Sequence, residues 1–176
     1  MESAGYLYRL IRDVPDFPKK GILFKDITPL LQDPKGLRLA VDLMGAPFEG
    51  ASVDVVLGIE SRGYLFAAPL AYKLNAGLVL VRKPGKLPYR KHSASYALEY
   101  GTDTIEMHED AIRPGQRVLL ADDLIATGGT ARAAAELVER SGGAIVAFTF
   151  LVELASLGGR DKVGPYPVNA VIRFEG

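Results

Sequence analysis

The chain has 176 residues, enough for one ordinary α/β domain to bury a core unaided. Its composition, 48% hydrophobic and 24% charged, is that of a globular protein and excludes disordered, collagen-like and fibrous classes. Lys+Arg and Asp+Glu both number 21, a balance that argues against gripping nucleic acid over a broad surface; the absence of cysteine removes disulfides, thiolate metal sites and a cysteine nucleophile.

Tyr6, Leu7, Leu10 and Ile11 fall at helical spacing and predict a short amphipathic helix near Ser3–Arg12. No signal-peptide-like apolar stretch stands there, and no window approaches about eighteen uncharged apolar residues, so the expectation is a cytoplasmic protein with no membrane partner. Asp16–Asp26 is a Pro- and Gly-rich connection holding the apolar run Ile22–Phe24. Asp33-Pro34 signals a helix start, with the helix running to about Met44. Val53–Ile59 reads as a buried strand, followed by Glu60-Ser61-Arg62-Gly63 and a helix over Tyr64–Leu74; Leu78–Val81 is a second strand. Arg82–Ala97 is long, basic and without apolar period, which suggests a functional lid. Ser95–Glu99 and Thr104–Met107 alternate like a hairpin, so the lid region spans roughly 82–108. Arg117–Ala121 is a third strand, then a polar turn and a helix over Gly129–Ser141; Ala144–Leu151 and Val168–Phe174 complete the set. Short apolar runs alternating with helices imply a mostly parallel, twisted sheet covered by helices on both faces. No repeat or linker divides the chain, which reads as a single domain over 1–176.

Ligands bind such sheets beyond the carboxyl ends of the strands. The strongest signal lies there: Val118–Ala131, VLLADDLIATGGTA. Gly128 and Gly129 let the backbone approach a ligand, the amides of a helix start attract an anion, and the Thr127 and Thr130 hydroxyls add donors, so Ala126–Thr130 reads as a phosphate cradle. Asp122 and Asp123 beside it suit a ligand with a phosphate at one end and hydroxyls in the middle, as in ribose 5-phosphate. Neither G-x-x-x-x-G-K-[ST] nor G-x-G-x-x-G after a strand is present. Arg62, just after a strand, suits bidentate binding of pyrophosphate oxygens, and Arg82, Lys83 and Lys86 form a local basic cluster. His92 receives no role, and His108 with Glu109 and Asp110 reads as a solvated turn.

Val118–Ala131 resembles the signature of the type I phosphoribosyltransferase family, whose members bind 5-phosphoribosyl 1-pyrophosphate (PRPP). DFPKKGILFKDITP, GIESRG, RKPGKLP, ASYALEYG and LVELASL, in that order, resemble its adenine-specific branch over nearly the whole chain. The resemblance implies the family's α/β fold with a flexible lid, a homodimer, and transfer of ribose 5-phosphate from PRPP to adenine, giving AMP and pyrophosphate. It implies Mg²⁺ held mainly by PRPP near Asp122 and Asp123, with no direct protein metal site. By resemblance Asp122, Asp123 and Ala126, Thr127, Gly128, Gly129 and Thr130 bind the ribose phosphate. Glu60, Ser61, Arg62, Arg82, Lys83 and Lys86 serve the pyrophosphate, with a cis peptide between Glu60 and Ser61. Phe24 stacks on the base with Leu154 nearby, the Leu23 carbonyl and Lys25 amide read its edge, and Glu99 manages a proton near N7, with Arg62 and Lys83 catalytic beside it. Two alternatives stay open: an oxo-purine acceptor, and a PRPP-sensing regulator of the same fold.

Overall fold

The computed structural model describes residues 2–97 and 101–175. Two compact units divide the chain, Met1–Leu43 and Met44–Gly176. In the first, helix α1 (Glu2–Arg9) ends earlier than its apolar spacing predicts, because Arg12 and Asp13 are drawn into a strand, β1 (Arg12–Pro15). That strand pairs antiparallel with β2 (Leu23–Asp26), setting Asp13 opposite Lys25 and Val14 opposite Phe24. The Lys25 ammonium, nearly buried, donates to Asp13 Oδ1 at 2.6 Å. Phe17 sets its ring edge-on to Phe24 with centroids 5.0 Å apart. After α2 (Thr28–Gln32), α3 (Pro34–Gly45) starts where Asp33-Pro34 predicts. Asp33 Oδ2 caps it by accepting from the Gly36 amide at 2.7 Å, a bond of the kind that stabilises a helix by about 1 kcal/mol.

The second unit is built on five parallel strands: β3 (Val55–Ile59), β4 (Gly77–Val81), β7 (Arg117–Ile125), β8 (Ala144–Leu154) and β9 (Val168–Phe174). Their spatial order is β4-β3-β7-β8-β9. Every residue of β3 is buried, as expected of a strand covered on both faces, whereas β4 at the edge buries only Val79 and Val81. Helix α4 (Tyr64–Lys73) returns the chain from β3 to β4, and α5 (Gly129–Arg140) returns it from β7 to β8. Between β4 and β7 stands a separate antiparallel pair, β5 (Lys91–Ala97) and β6 (Thr102–His108), longer than the predicted hairpin.

Helix α5 packs on β7 and β8 on one side and on β5 and β6 on the other. Its alanines explain how it fits there: Ala131, Ala133, Ala134 and Ala135 are all buried and admit close neighbours on two faces. Both ends of the helix meet β5. Near its start a side chain on Gly129 would touch the Tyr96 ring, and near its end Arg140 donates to the Ser93 carbonyl at 2.7 Å. Among the described residues no helix is long and apolar enough to cross a membrane.

β3 starts at Val55, not Val53, and β4 at Gly77, not Leu78, and the larger departures in the sheet are in β7 and β8. β7 runs to Ile125, not Ala121, and β8 to Leu154, not Leu151, because they pair with each other from Arg117↔Ala144 to Ile125↔Glu153. The acids Asp122 and Asp123 therefore lie within a strand and do not follow it. On its other side β7 loses its partner after Gly58↔Ala121, since β3 ends at Ile59. The last turn of pairing on one flank faces open space on the other.

Candidate active site

That open space is the crevice expected of this topology. The chain leaves β3 through α4 for β4 on one side and leaves β7 through α5 for β8 on the other, so the strand order reverses between the carboxyl ends of β3 and β7. Three groups of residues converge on it.

The first is the turn from β7 into α5. Gly128 adopts φ +79° and ψ −1°, left-handed backbone that suits glycine, and caps α5. The helical ladder opens with the Arg132 amide donating to the Gly128 carbonyl at 2.9 Å, so the amides of the first turn have no acceptor within the helix. Residues 126–131 line a cavity of 190 Å³ walled by Asp122 and Phe150. Beneath the turn lies α6 (Gly159–Lys162): a Cβ on Gly128 would stand 2.4 Å from the Gly159 carbonyl oxygen. This is an anion cradle with a backbone floor.

The second group is the carboxylate pair. Asp123 is 4% exposed, and Arg62 Nε stands 2.8 Å from its Oδ2, close enough to pair but out of line for a hydrogen bond. Asp122, enclosed by the Gly63 turn though still in partial contact with solvent, accepts from the Asp123 amide at 2.9 Å through Oδ1. Gly63 is required here, because a Cβ would fall 2.6 Å from Asp122 Oδ1 and from the Ile59 carbonyl. Burial, then the neighbouring Asp123 charge, raises the Asp122 carboxyl well above its usual range. Burial also raises Asp123, against the pull of Arg62. Two adjacent acids held this way are poor neighbours for each other and good acceptors for hydroxyls or a cation-carrying ligand.

The third group is cationic. The Glu60–Ser61 bond is cis, as the resemblance implies. Glu60 turns its carboxylate onto the basic loop: Oε2 accepts from the Lys83 amide at 2.8 Å, Oε1 from Lys86 Nζ at 2.7 Å, and Arg82 Nε lies 3.4 Å away. Burial would raise the Glu60 carboxyl, but Lys86, the Lys83 amide and Arg82 outweigh it and hold it at about 2. The Lys83 ammonium pairs with Asp103 on β6 and approaches Tyr96 OH at 3.3 Å, while Tyr96 OH donates to Asp103 Oδ2 at 2.9 Å. Burial disfavours that ammonium, yet Asp103 and Tyr96 leave it more firmly protonated than an ordinary lysine.

One cavity of 300 Å³ joins these groups, lined by Glu60, Ser61, Arg62, Lys83, Tyr96, Asp122, Asp123 and Thr130 among others. Leu154 ends β8 in the same unit, whereas Leu23, Phe24 and Lys25 form β2 of the first unit. Glu99 lies outside the described residues. Asp103 carries no motif, and Tyr96, although it lies within ASYALEYG, was given no role at the site; the Gly158-Gly159 doublet was the only sequence signal for the floor of the cradle. Among the described residues no three His, Cys, Asp or Glu side chains come together as a metal site. A cation carried in on a ligand is a different case, and the adjacent carboxylates of Asp122 and Asp123, the second already paired with Arg62, are the acidic groups that would face one.

A family model described as phosphoribosyl transferase domain matches residues 28–173. The chain is 55% identical over 168 residues to an adenine phosphoribosyltransferase of Cyanothece sp., covering 96% of this chain and 99% of that one. A Christiangramia forsetii protein of the same name is 56% identical over 174 residues, 99% of each. Among solved structures, adenine phosphoribosyltransferase of Rhodothermus marinus matches with a TM-score of 0.94 at 53% identity over 98% of this chain and 99% of that one. The Saccharomyces cerevisiae enzyme, complexed with an imino-altritol bisphosphate and adenine, matches at 0.91 and 39% identity over 97% and 98%.

Proposed function

The chain belongs to the phosphoribosyl transferase family, and we propose that it transfers the ribose 5-phosphate of PRPP to adenine, releasing AMP and pyrophosphate. The observation that carries this reading is the order of groups along the crevice: an anion cradle, two carboxylates, then a cationic loop. That order matches phosphate, sugar hydroxyls and pyrophosphate along PRPP. The match at residues 28–173 runs from the first unit into the second, which supports one catalytic domain over 1–176.

In this reading Ala126–Thr130 bind the 5′-phosphate and Asp122 and Asp123 accept the ribose hydroxyls. Mg²⁺, held mainly by PRPP near those acids, would neutralise pyrophosphate charge. Adenine stacks on Phe24 with Leu154 nearby. The Leu23 carbonyl accepts from its amino group, the Lys25 amide donates to N1, and Glu99 takes the proton that N7 gives up as N9 bonds to the sugar. N9 attacks C1′ as the C1′–O bond to pyrophosphate breaks, and positive charge on the ring is met by the buried carboxylates. Arg62, Lys83, Arg82 and Lys86, with the Ser61 turn, receive the departing pyrophosphate, and Glu60 holds the loop that presents them. The lid over 82–108 excludes water, which would otherwise hydrolyse PRPP.

The proposal includes a homodimer working in the cytoplasm. Exposed apolar side chains on α4 and β4, namely Leu65, Tyr72, Leu78 and Leu80, support a covered face at that edge of the sheet. Pyrophosphate release should follow addition of adenine to PRPP and Mg²⁺, and not of hypoxanthine, guanine or xanthine. Release with an oxo-purine alone would overturn the base assignment, and no release with any base would overturn the enzyme reading. Sedimentation at the mass of one chain would remove the dimer.

A further inference from the structure

The floor of the anion cradle is a helix of four residues, Gly159–Lys162, too short to hold its own shape. Its contact with the cradle is backbone on backbone. A Cβ on Gly128 would stand 2.4 Å from the Gly159 oxygen, and a Cβ on Gly159 would stand 2.2 Å from the Ala126 oxygen and 2.9 Å from the Gly128 nitrogen. With no side chain between them, any displacement of α6 is passed to the cradle undiminished. What fixes α6 is therefore part of what fixes the cradle.

A single arginine ties α6 to two strands of the sheet. Arg160 donates from Nε to Glu153 Oε1 at 3.0 Å, from one terminal nitrogen to Glu153 Oε2 at 2.5 Å, and from the other to the Val168 carbonyl at 2.7 Å. The fork is bidentate, the geometry that sets direction as well as distance. Glu153 is 4% exposed and sits in β8 directly across from Ile125, the last strand residue before the cradle. One buried carboxylate thus references both the entry to the turn and the floor beneath it. Neither Glu153 nor Arg160 lines the cradle cavity.

From this arrangement we infer that Glu153 and Arg160 are positioning residues for the 5′-phosphate site, acting through the Gly158–Gly159 turn; the inference rests on the reading of Ala126–Thr130 as that site. Glu153→Gln keeps the shape and removes the charge. Arg160→Met removes the fork and leaves the buried Glu153 carboxylate without its partner, and Arg160→Lys restores only the charge. Loss of a charge-assisted fork predicts that the Kd for ribose 5-phosphate and the KM for PRPP rise about tenfold in Glu153→Gln and Arg160→Met. The rise should be smaller in Arg160→Lys, and the KM for adenine should stay within about twofold in all three.

Titration calorimetry with ribose 5-phosphate, steady-state kinetics and thermal melts together separate the outcomes. Wild-type protein that fails to bind ribose 5-phosphate overturns the cradle reading and this inference with it. Wild-type binding accompanied by unchanged affinity in Glu153→Gln and Arg160→Met overturns the inference alone. A lowered melting temperature with both KM values unchanged assigns the pair to stability only and equally overturns it. Should Glu153→Gln fail to fold, Arg160→Met and Arg160→Lys decide the question.

Discussion

Gly128→Ala puts one methyl group where the cradle lies backbone to backbone against its floor. Left-handed backbone, φ +79° here, costs a non-glycine residue about 1–2 kcal/mol. For a chain of this size that loss lowers the melting temperature by about 2–8 °C. The larger effect is geometric. The added Cβ falls 2.4 Å from the Gly159 oxygen, whereas ordinary contact begins at 3.4 Å, so the turn and its floor must separate by about 1 Å. A misplacement of about 1 Å at a binding constellation can cost about 100-fold. We therefore expect kcat/KM for PRPP, followed by pyrophosphate release at saturating adenine, to fall about 100-fold. Gly129→Ala is the control: its backbone is ordinary, and its Cβ meets the edge of the Tyr96 ring at 3.1 Å, which can give way. That variant should stay within about tenfold of wild type. A Gly128→Ala protein with wild-type kcat/KM for PRPP would refute the close-approach argument.

Asp122 has a folded-state carboxyl value raised above its ordinary 3.8, so the folded state carries no penalty from it below that value and an increasing one as pH rises toward the folded value. Asp122→Asn should melt higher than wild type near pH 7 by about 2–4 °C per kcal/mol relieved, with the difference vanishing near pH 4, while losing activity; a lower melting point near pH 7 would contradict this. Glu60 runs the opposite way: held at about 2 against an ordinary 4.5, it contributes stability present above 4.5 and lost as pH falls through 2. Glu60→Gln should flatten the acid limb of a plot of melting temperature against pH, and an unchanged limb would remove Glu60 as its source. Asp103→Asn frees Lys83 from a half-exposed pair, so pyrophosphate inhibition should tighten about two- to fivefold; weakening would show that Asp103 aims Lys83 instead of competing for it.

The parallel sheet was legible because its signals are local: Val55–Ile59 and Leu119–Ala121 are continuous apolar runs, Phe148–Val152 is broken only by Thr149, and Gly and Pro mark where they stop. The phosphate motif was legible for the same reason, since Gly128, Gly129 and both threonines lie within a few residues. What escaped depends on partners distant in sequence. β1 is four residues, Arg-Asp-Val-Pro, with no alternation, and becomes a strand only because β2 lies beside it. Asp122 and Asp123 look like loop residues until β8 pairs with them. Asp103 sits among threonines on a hairpin, and nothing in that run announces a lysine twenty residues earlier. Arg160 lies on a four-residue helix rich in charge, where its fork to Glu153 is invisible without coordinates. The acceptor side is the least legible from local pattern: Leu23–Lys25, Leu154 and Glu99 rest on resemblance.

Helix α5 holds β5 at both of its ends, at Gly129 and through Arg140, while its first turn forms part of the cradle. For anyone recombining this scaffold, the hairpin and the phosphate helix are therefore one cassette. A graft that exchanges residues 91–108 for another acceptor-side element, but leaves α5 behind, cuts the Ser93 anchor and replaces the ring against which Gly129 was fitted. Its cost would appear as weakened sugar-phosphate binding, far from the base the graft was meant to change.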